Sequence, residues 1–144
     1  MVKVDNLSKS YGSVEAVRNI SFNVEEGSLF SFLGTNGAGK STTINILTTL
    51  LSKSSGKAEV GGFDVSSDAE KVRNLTGVVF QESVLDKTLT VRENLTIRGS
   101  LYNLRGSVLK NAVENAVQIT DISEFAARPY GQLSGGQRRR VDRV

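Results

Sequence analysis

Residues 34–41 read Gly-Thr-Asn-Gly-Ala-Gly-Lys-Ser, and no other stretch restricts the fold of this chain as tightly. The pattern G-x-x-x-x-G-K-S/T is a phosphate-binding loop, read as functional when a strand enters it and a helix leaves it. Its glycines let consecutive backbone N–H groups turn inward and cradle phosphate oxygens without Cβ obstruction. The free N–H groups and dipole at the start of the following helix favour an anion. Lys40 is then placed for the β and γ phosphates and the Ser41 hydroxyl for magnesium. The alternative, a chance match, is opposed by the flanks. Leu29, Phe30, Phe32 and Leu33 form a nearly continuous apolar run ending at Gly34, which predicts a strand buried on both faces. After the loop, KSTTINILTTLL sets Ile44, Leu47 and Leu51 at helical spacing.

Around this loop the pattern is that of a mixed α/β chain. Val2 and Val4, then Ile20, Phe22 and Val24 against Ser21 and Asn23, alternate with period two and predict antiparallel strands with one wet face. Lys57 to Val60 and Gly77 to Phe80 predict further short strands. Between them, Ser67 and Glu70 have capping-box spacing for a short helix. Beyond Phe80 the pattern turns helical. Thr90 and Glu93 match a second capping box, opening a helix to about Tyr102. Gly106 breaks it and Ser107 is placed to cap another, whose Leu109, Ala112, Val113, Ala116 and Val117 form one stripe. Pro129, with Tyr130 and Gly131, closes this helical insertion. The expected organisation is an α/β core with an antiparallel β subdomain over 1–82, a helical subdomain over 83–131, and a further motif with the start of its helix over 132–144.

Composition narrows the chemistry. Of 144 residues none is cysteine or histidine, which excludes disulfides, thiolate or histidine metal ligation, and Ser-His or Cys-His catalysis. No apolar run approaches the ~18 residues of a membrane-spanning helix, and the N-terminus does not read as a signal peptide. The closing RRRVDRV sets Arg138, Arg139, Arg140 and Arg143 against Asp142, and so accounts for the whole net charge of +3. A nucleic-acid binder is expected to spread its basic residues over a face; this cluster reads as a solvated helix face, and nucleic acid is not expected as a partner.

Residues 133–137 read Leu-Ser-Gly-Gly-Gln. Ser134 is placed to cap a helix, and Gly135 and Gly136 leave its first N–H groups open to a second anion. Taken alone, the pentapeptide has one weaker alternative, a glycine-rich helix start without a ligand. Taken with residues 34–41, the two motifs in this order, separated by a helical insertion, resemble the nucleotide-binding domains of ABC transporters.

That resemblance implies a P-loop NTPase fold and a set of site residues. Gly34, Asn36, Gly37, Ala38, Gly39, Lys40, Ser41 and Thr42 would hold the phosphates of ATP, with Ser41 on magnesium. Gln81, after the strand-like GVVF, falls where the family has the glutamine that approaches magnesium and the attacking water; with Lys40 it is the candidate catalytic residue. Tyr11 falls where family members stack an aromatic on adenine, and Val17 where they pack an aliphatic on the same base. Ser134, Gly135, Gly136 and Gln137 would meet the γ phosphate of a nucleotide held by a second, head-to-tail subunit. Closure of such a dimer would drive a membrane-spanning permease docked near residues 83–100, placing the protein in the cytoplasm on the inner face of the membrane. The wording Val-Leu-Asp-Lys-x-Leu-Thr-Val-Arg-Glu-Asn-Leu from Val84 to Leu95 is similar to the drug-resistance and ABC-2 exporter branch, so export is the expected direction.

The sequence departs from the family at two points. Thr35 replaces a proline common there. No apolar strand ending in Asp-Glu and no switch histidine follow the signature, so the 144 residues alone are expected to hydrolyse ATP poorly. VDRV offers no helix stop, so the chain reads as cut through a helix. Two rivals stand beside the transporter reading. A soluble ABC-type ATPase of ribosomes or DNA repair usually carries tandem domains or a long coiled-coil insertion, and this insertion has neither length nor heptads. A non-catalytic nucleotide-binding module is favoured by the same missing residues.

Overall fold

A computed structural model of the chain describes residues 1–80 and 82–144. These residues form two compact units, Met1–Val78 and Val79–Val144.

The first unit is built on one antiparallel sheet. Strands β1 (Val2–Tyr11) and β2 (Val14–Val24) form a hairpin, β3 (Ser55–Val60) pairs with the other edge of β1, and β4 (Phe63–Asp64) pairs with β3, giving the order β2-β1-β3-β4. The alternation read in the sequence is present, but interrupted where it matters. Asn6 adopts φ 50° and the register shifts between Val4 and Leu7. This bulge adds one residue, so Leu7 rather than Asn6 follows Val4 into the interior. The Ser21 hydroxyl accepts from the freed Asn6 amide at 2.8 Å. Helix α1 (Lys40–Leu47) covers the sheet, and Val4, Leu7, Ile46, Ala58 and Val65 make the buried core, with Leu47 and Leu51 packed beside it. Helix α2 (Ala69–Leu75) buries Val72.

The second unit is helical. Helix α3 (Val91–Leu101) is opened by the capping box that Thr90 and Glu93 predicted, with both reciprocal hydrogen bonds formed. Helix α4 (Gly106–Ile119) buries Val113 and Val117 of its predicted stripe against α3. An ion pair between Arg92 and Glu114 joins the two helices. Two short 3-10 turns, Ser123–Phe125 and Tyr130–Gln132, lead to α5 (Gly135–Val141). Ile122, Phe125, Tyr130, Leu133 and Val141 complete this core. Within it, Asn94 is 4% exposed and closes the 86–90 loop, accepting from the Asp86 amide at 2.8 Å and donating to the Asp86 carbonyl at 2.9 Å.

Several expectations are corrected. Residues 29–33 form no strand; Leu29 is 100% and Leu33 91% exposed. A strand buried on both faces needs hydrogen-bonding neighbours, and the sheet of the described residues supplies none to this segment. Phe30 and Phe32 instead join Phe22 of β2 in a cluster with ring centres 5.1–5.2 Å apart. Gly77–Phe80 is likewise not a strand, and Val79 is 55% exposed. In α1 it is Ile46 that is buried, while Ile44 faces outward. The Ser67–Glu70 capping box does not form: the Asp64 carboxylate accepts from the Ser66 and Ser67 amides, and α2 begins after Asp68. Ser107 does not cap α4, whose first residue is Gly106 after Arg105.

Candidate functional site

The phosphate loop keeps its predicted place at the mouth of a helix. Gly39 is the residue before α1 and adopts φ 80°, a left-handed conformation that glycine takes without cost. A Cβ there would run into the Ala16 carbonyl and lie 3.2 Å from Val17 Cγ2, so the loop rests directly on β2. Gly37, at φ 86°, gives the loop its second left-handed turn. The Ala38 amide donates to the Thr35 carbonyl across 3.3 Å, and the Thr43 amide and hydroxyl both donate to the Gly39 carbonyl at 2.9 Å. Lys40 folds back over this loop. Its ammonium donates to the Gly34 carbonyl at 2.8 Å and to the Thr35 carbonyl at 2.6 Å.

A cavity of about 510 Å³ adjoins the loop, and Val17, Gly37, Ala38 and Lys40 line it together with Thr43 and the Phe22–Phe30–Phe32 cluster. Gly34, Asn36, Gly39, Ser41 and Thr42 belong to the same loop and first turn but do not line that cavity; Tyr11 does not line it either. Tyr11 is 50% exposed, with the Lys9 ammonium 5.1 Å from its ring centre. The arrangement fits a phosphate chain: a lysine at hydrogen-bonding reach of the loop, amides of a helix first turn without intrahelical acceptors, and an exposed serine beside them. It also fits magnesium brought with the phosphates. No cluster of three carboxylate, histidine or cysteine groups exists among the described residues to hold a metal unaided, so the Ser41 hydroxyl would share the ion with phosphate oxygens and water.

In the second unit, Ser134 caps α5. Its hydroxyl accepts from the Gln137 amide at 3.3 Å, and the Gln137 side chain accepts from the Ser134 amide at 3.0 Å. Gln137 is thus a partner in a capping box, a role its spacing from Ser134 would have revealed. Gly135 and Gly136 form the exposed first turn. Gln81 lies outside the described residues. Sequence reasoning missed Thr43, whose hydroxyl secures the Gly39 carbonyl. A hydroxyl four residues after the last loop glycine was the available signal.

Burial pushes the Tyr130 hydroxyl above its usual range, and the neighbouring Asp142 carboxylate adds to this while Ser83 and Arg138 oppose it. The Asp64 carboxyl is held below its usual range chiefly by the Ser67 amide.

Comparison with known proteins gives one consistent result. A family model described as ABC transporter matches residues 17–142. The linearmycin resistance ATP-binding protein LnrL of Bacillus subtilis (strain 168) is 36% identical, over 99% of this chain and 46% of its own length. The daunorubicin resistance ATP-binding protein DrrA2 of Streptomyces coeruleorubidus is also 36% identical, over 98% of this chain and 44% of its own. This chain therefore spans about half the length of these relatives. Among solved structures, the dimeric post-hydrolysis state of the ATP-binding cassette MJ0796 bound to ADP and Pi matches 99% of this chain and 67% of its own, with TM-score 0.80 and 29% identity. The cbiO1 structure from Clostridium perfringens, part of the ABC transporter complex cbiONQ, matches 98% of this chain and 58% of its own with TM-score 0.84 and 28% identity.

Proposed function

This chain belongs to the ABC transporter family, and from that premise we propose that it is the ATP-binding part of a transporter subunit that turns ATP binding and hydrolysis into export. The observation that carries this reading is the complete phosphate loop opening onto α1, with the Lys40 ammonium held at the Gly34 and Thr35 carbonyls. Drug-resistance ATP-binding proteins among its relatives support the export direction.

In this reading Lys40 leaves the loop carbonyls for the β and γ phosphates, where its charge is worth more. The backbone of Gly34, Asn36, Gly37, Ala38 and Gly39 and the first-turn amides at Lys40, Ser41 and Thr42 cradle the same oxygens. Val17 supports the base and Tyr11 stacks on it. Magnesium, when bound, neutralises charge shared by the β and γ phosphates. Ser41 ligates it, and Gln81 positions the attacking water. Ser134, Gly135, Gly136 and Gln137 of one chain close over the nucleotide of another, which makes the nucleotide part of a dimer interface. The helical segment docks a membrane-spanning permease, through its surface near residues 83–100, on the cytoplasmic face. No helix of the described residues is long and apolar enough to cross a membrane. Hydrolysis by these 144 residues alone is slow, because they include neither a switch histidine nor an Asp-Glu pair after the signature.

Titration calorimetry with ATP and magnesium tests the reading, followed by sedimentation velocity with and without nucleotide. Saturable binding and nucleotide-promoted self-association are expected; absence of binding would sink it.

A further inference from the structure

Three side chains left unused by the nucleotide site meet at one oxygen in the second unit. Asp142, which closes α5, accepts through Oδ1 from the Tyr130 hydroxyl at 2.9 Å and from the Ser83 hydroxyl at 2.7 Å. Ser83 Oγ in turn accepts from the Leu85 amide at 3.2 Å. One turn earlier on the same face of α5, Arg138 donates to the Gly131 carbonyl at 2.6 Å, and its guanidinium lies 5.8 Å from the centre of the Tyr130 ring. Tyr130 itself is 1% exposed. The helix is therefore gripped at both ends of one buried tyrosine, a cation over the ring and a carboxylate on the hydroxyl.

The pose of α5 within the second unit is set by the contacts its side chains make there. Val141 is the only residue of α5 that is fully buried. A single apolar anchor resists separation but permits roll and tilt, because apolar burial is non-directional. The Asp142 hydrogen bonds are directional and charge-assisted, and together with the Arg138 bond to Gly131 they remove that freedom. Ser134 lies at the opposite end of the same helix, about 12 Å from Asp142 at 1.5 Å per residue, so a tilt at one end is a displacement at the other.

We propose that Asp142 and Ser83 are positioning residues that fix the pose of α5 and thereby hold Ser134, Gly135 and Gly136 in the arrangement that a second chain's nucleotide meets. This rests on the head-to-tail reading given under Proposed function and adds to it a device at the far end of the signature helix. Neither residue touches nucleotide; both act through α5.

The test uses this chain with Ser83→Ala, Asp142→Ala and the conservative Asp142→Asn, which retains an acceptor oxygen for both hydroxyls. Three quantities are read: amide hydrogen exchange over residues 133–137, ATP affinity at concentrations where the chain is monomeric, and ATP-promoted self-association. The two alanine variants are expected to speed exchange and weaken self-association, each by about tenfold, while ATP affinity stays within about twofold of the parent. Asp142→Asn is expected to recover most of both losses. Unchanged exchange in the alanine variants would overturn the proposal, and so would faster exchange with self-association intact. If the parent chain binds ATP but never self-associates, the head-to-tail reading fails and the proposal with it. That outcome is visible without any variant, and so is distinct from a failure of the Asp142 grip.

Discussion

The Lys40 ammonium donates to the Gly34 carbonyl across 2.8 Å, which ties the one charged residue of the phosphate loop to its first glycine. The lysine therefore serves the loop before any phosphate arrives, and its removal has two separable consequences. The bonds to Gly34 and Thr35 are solvent-accessible, so Lys40→Ala is expected to lower stability by less than about 1 kcal/mol. Loss of a charge-assisted contact to phosphate is expected to weaken ATP binding by about tenfold or more. Urea denaturation and calorimetry on the same variant check both numbers; a large stability loss with intact binding would assign Lys40 to structure.

Gly56 is expected to be the least replaceable residue of the sheet. It adopts φ 84°, and a Cβ would overlap the Asn6 carbonyl and crowd Leu7 Cα, all backbone atoms. Backbone cannot rotate away as a side chain can, so the β1 bulge itself must move. Gly56→Ala should cost about 3 kcal/mol by urea denaturation, combining left-handed strain with overpacking. A loss below about 1 kcal/mol would mean the bulge adjusts freely.

Asn94 is expected to dominate the stability of the helical unit. It is buried, and its amide donates to the carbonyls of Asp86 at 2.9 Å and Thr90 at 3.0 Å while its oxygen accepts from the Asp86 amide at 2.8 Å. Asn94→Ala leaves the Asp86 amide and carbonyl without partners, at about 1–3 kcal/mol for each one that water does not reach, while the Thr90 carbonyl keeps the backbone amide of residue 94 at 3.0 Å. The expected total is about 3 kcal/mol, with faster amide exchange over 86–90. Exchange confined to α3 instead would show that the loop is held by other contacts.

How far the sequence could be read depended on whether the deciding contact was local. The Thr90–Glu93 capping box, the period-two strands and the α4 stripe depend on residues a few positions apart, and all three are present. The phosphate loop was readable for the same reason: glycine, lysine and serine act within eight consecutive residues. Segment 29–33 was misread because burial on both faces depends on neighbouring strands, which no local pattern reports. Ser67 and Glu70 carried the spacing of a capping box, yet Asp64 took the Ser67 amide that the box would have used. The grip of Asp142 on Ser83 spans 59 positions, and nothing in either residue's neighbourhood announces it.

Thr49 offers a stabilising change. It is β-branched at φ 63°, a conformation that costs such residues about 1–2 kcal/mol. Thr49→Asn tolerates that region and keeps a side-chain oxygen near Arg73, which now donates to Thr49 Oγ1 at 3.1 Å. A gain of about 0.5–1 kcal/mol in urea denaturation is expected. A loss instead would show that the Arg73 contact outweighs the strain.

The Thr90–Glu93 box also sets a pH dependence. The Glu93 carboxyl is held below its usual range, first by the Thr90 hydroxyl and then by the Thr90 amide. An unfolded chain lacks these donors and takes up its proton at higher pH. Between the two values the unfolded state binds more protons, so stability falls as pH falls. The contribution is therefore full above the ordinary glutamate pKa, about 4.3, and is lost as pH drops through the folded value. Glu93→Gln keeps the capping geometry, since glutamine serves at this position, but cannot titrate there. The parent is expected to be the more stable near neutral pH, and the gap should close in acid, when both side chains are neutral. Urea midpoints of parent and variant, followed by circular dichroism from pH 7 downward, measure that gap. Asp64, Asp68 and Asp86 are lowered in the same direction, but they act equally in both proteins and cancel in the difference. A gap independent of pH would show that the Glu93 charge adds nothing beyond the shape of its side chain.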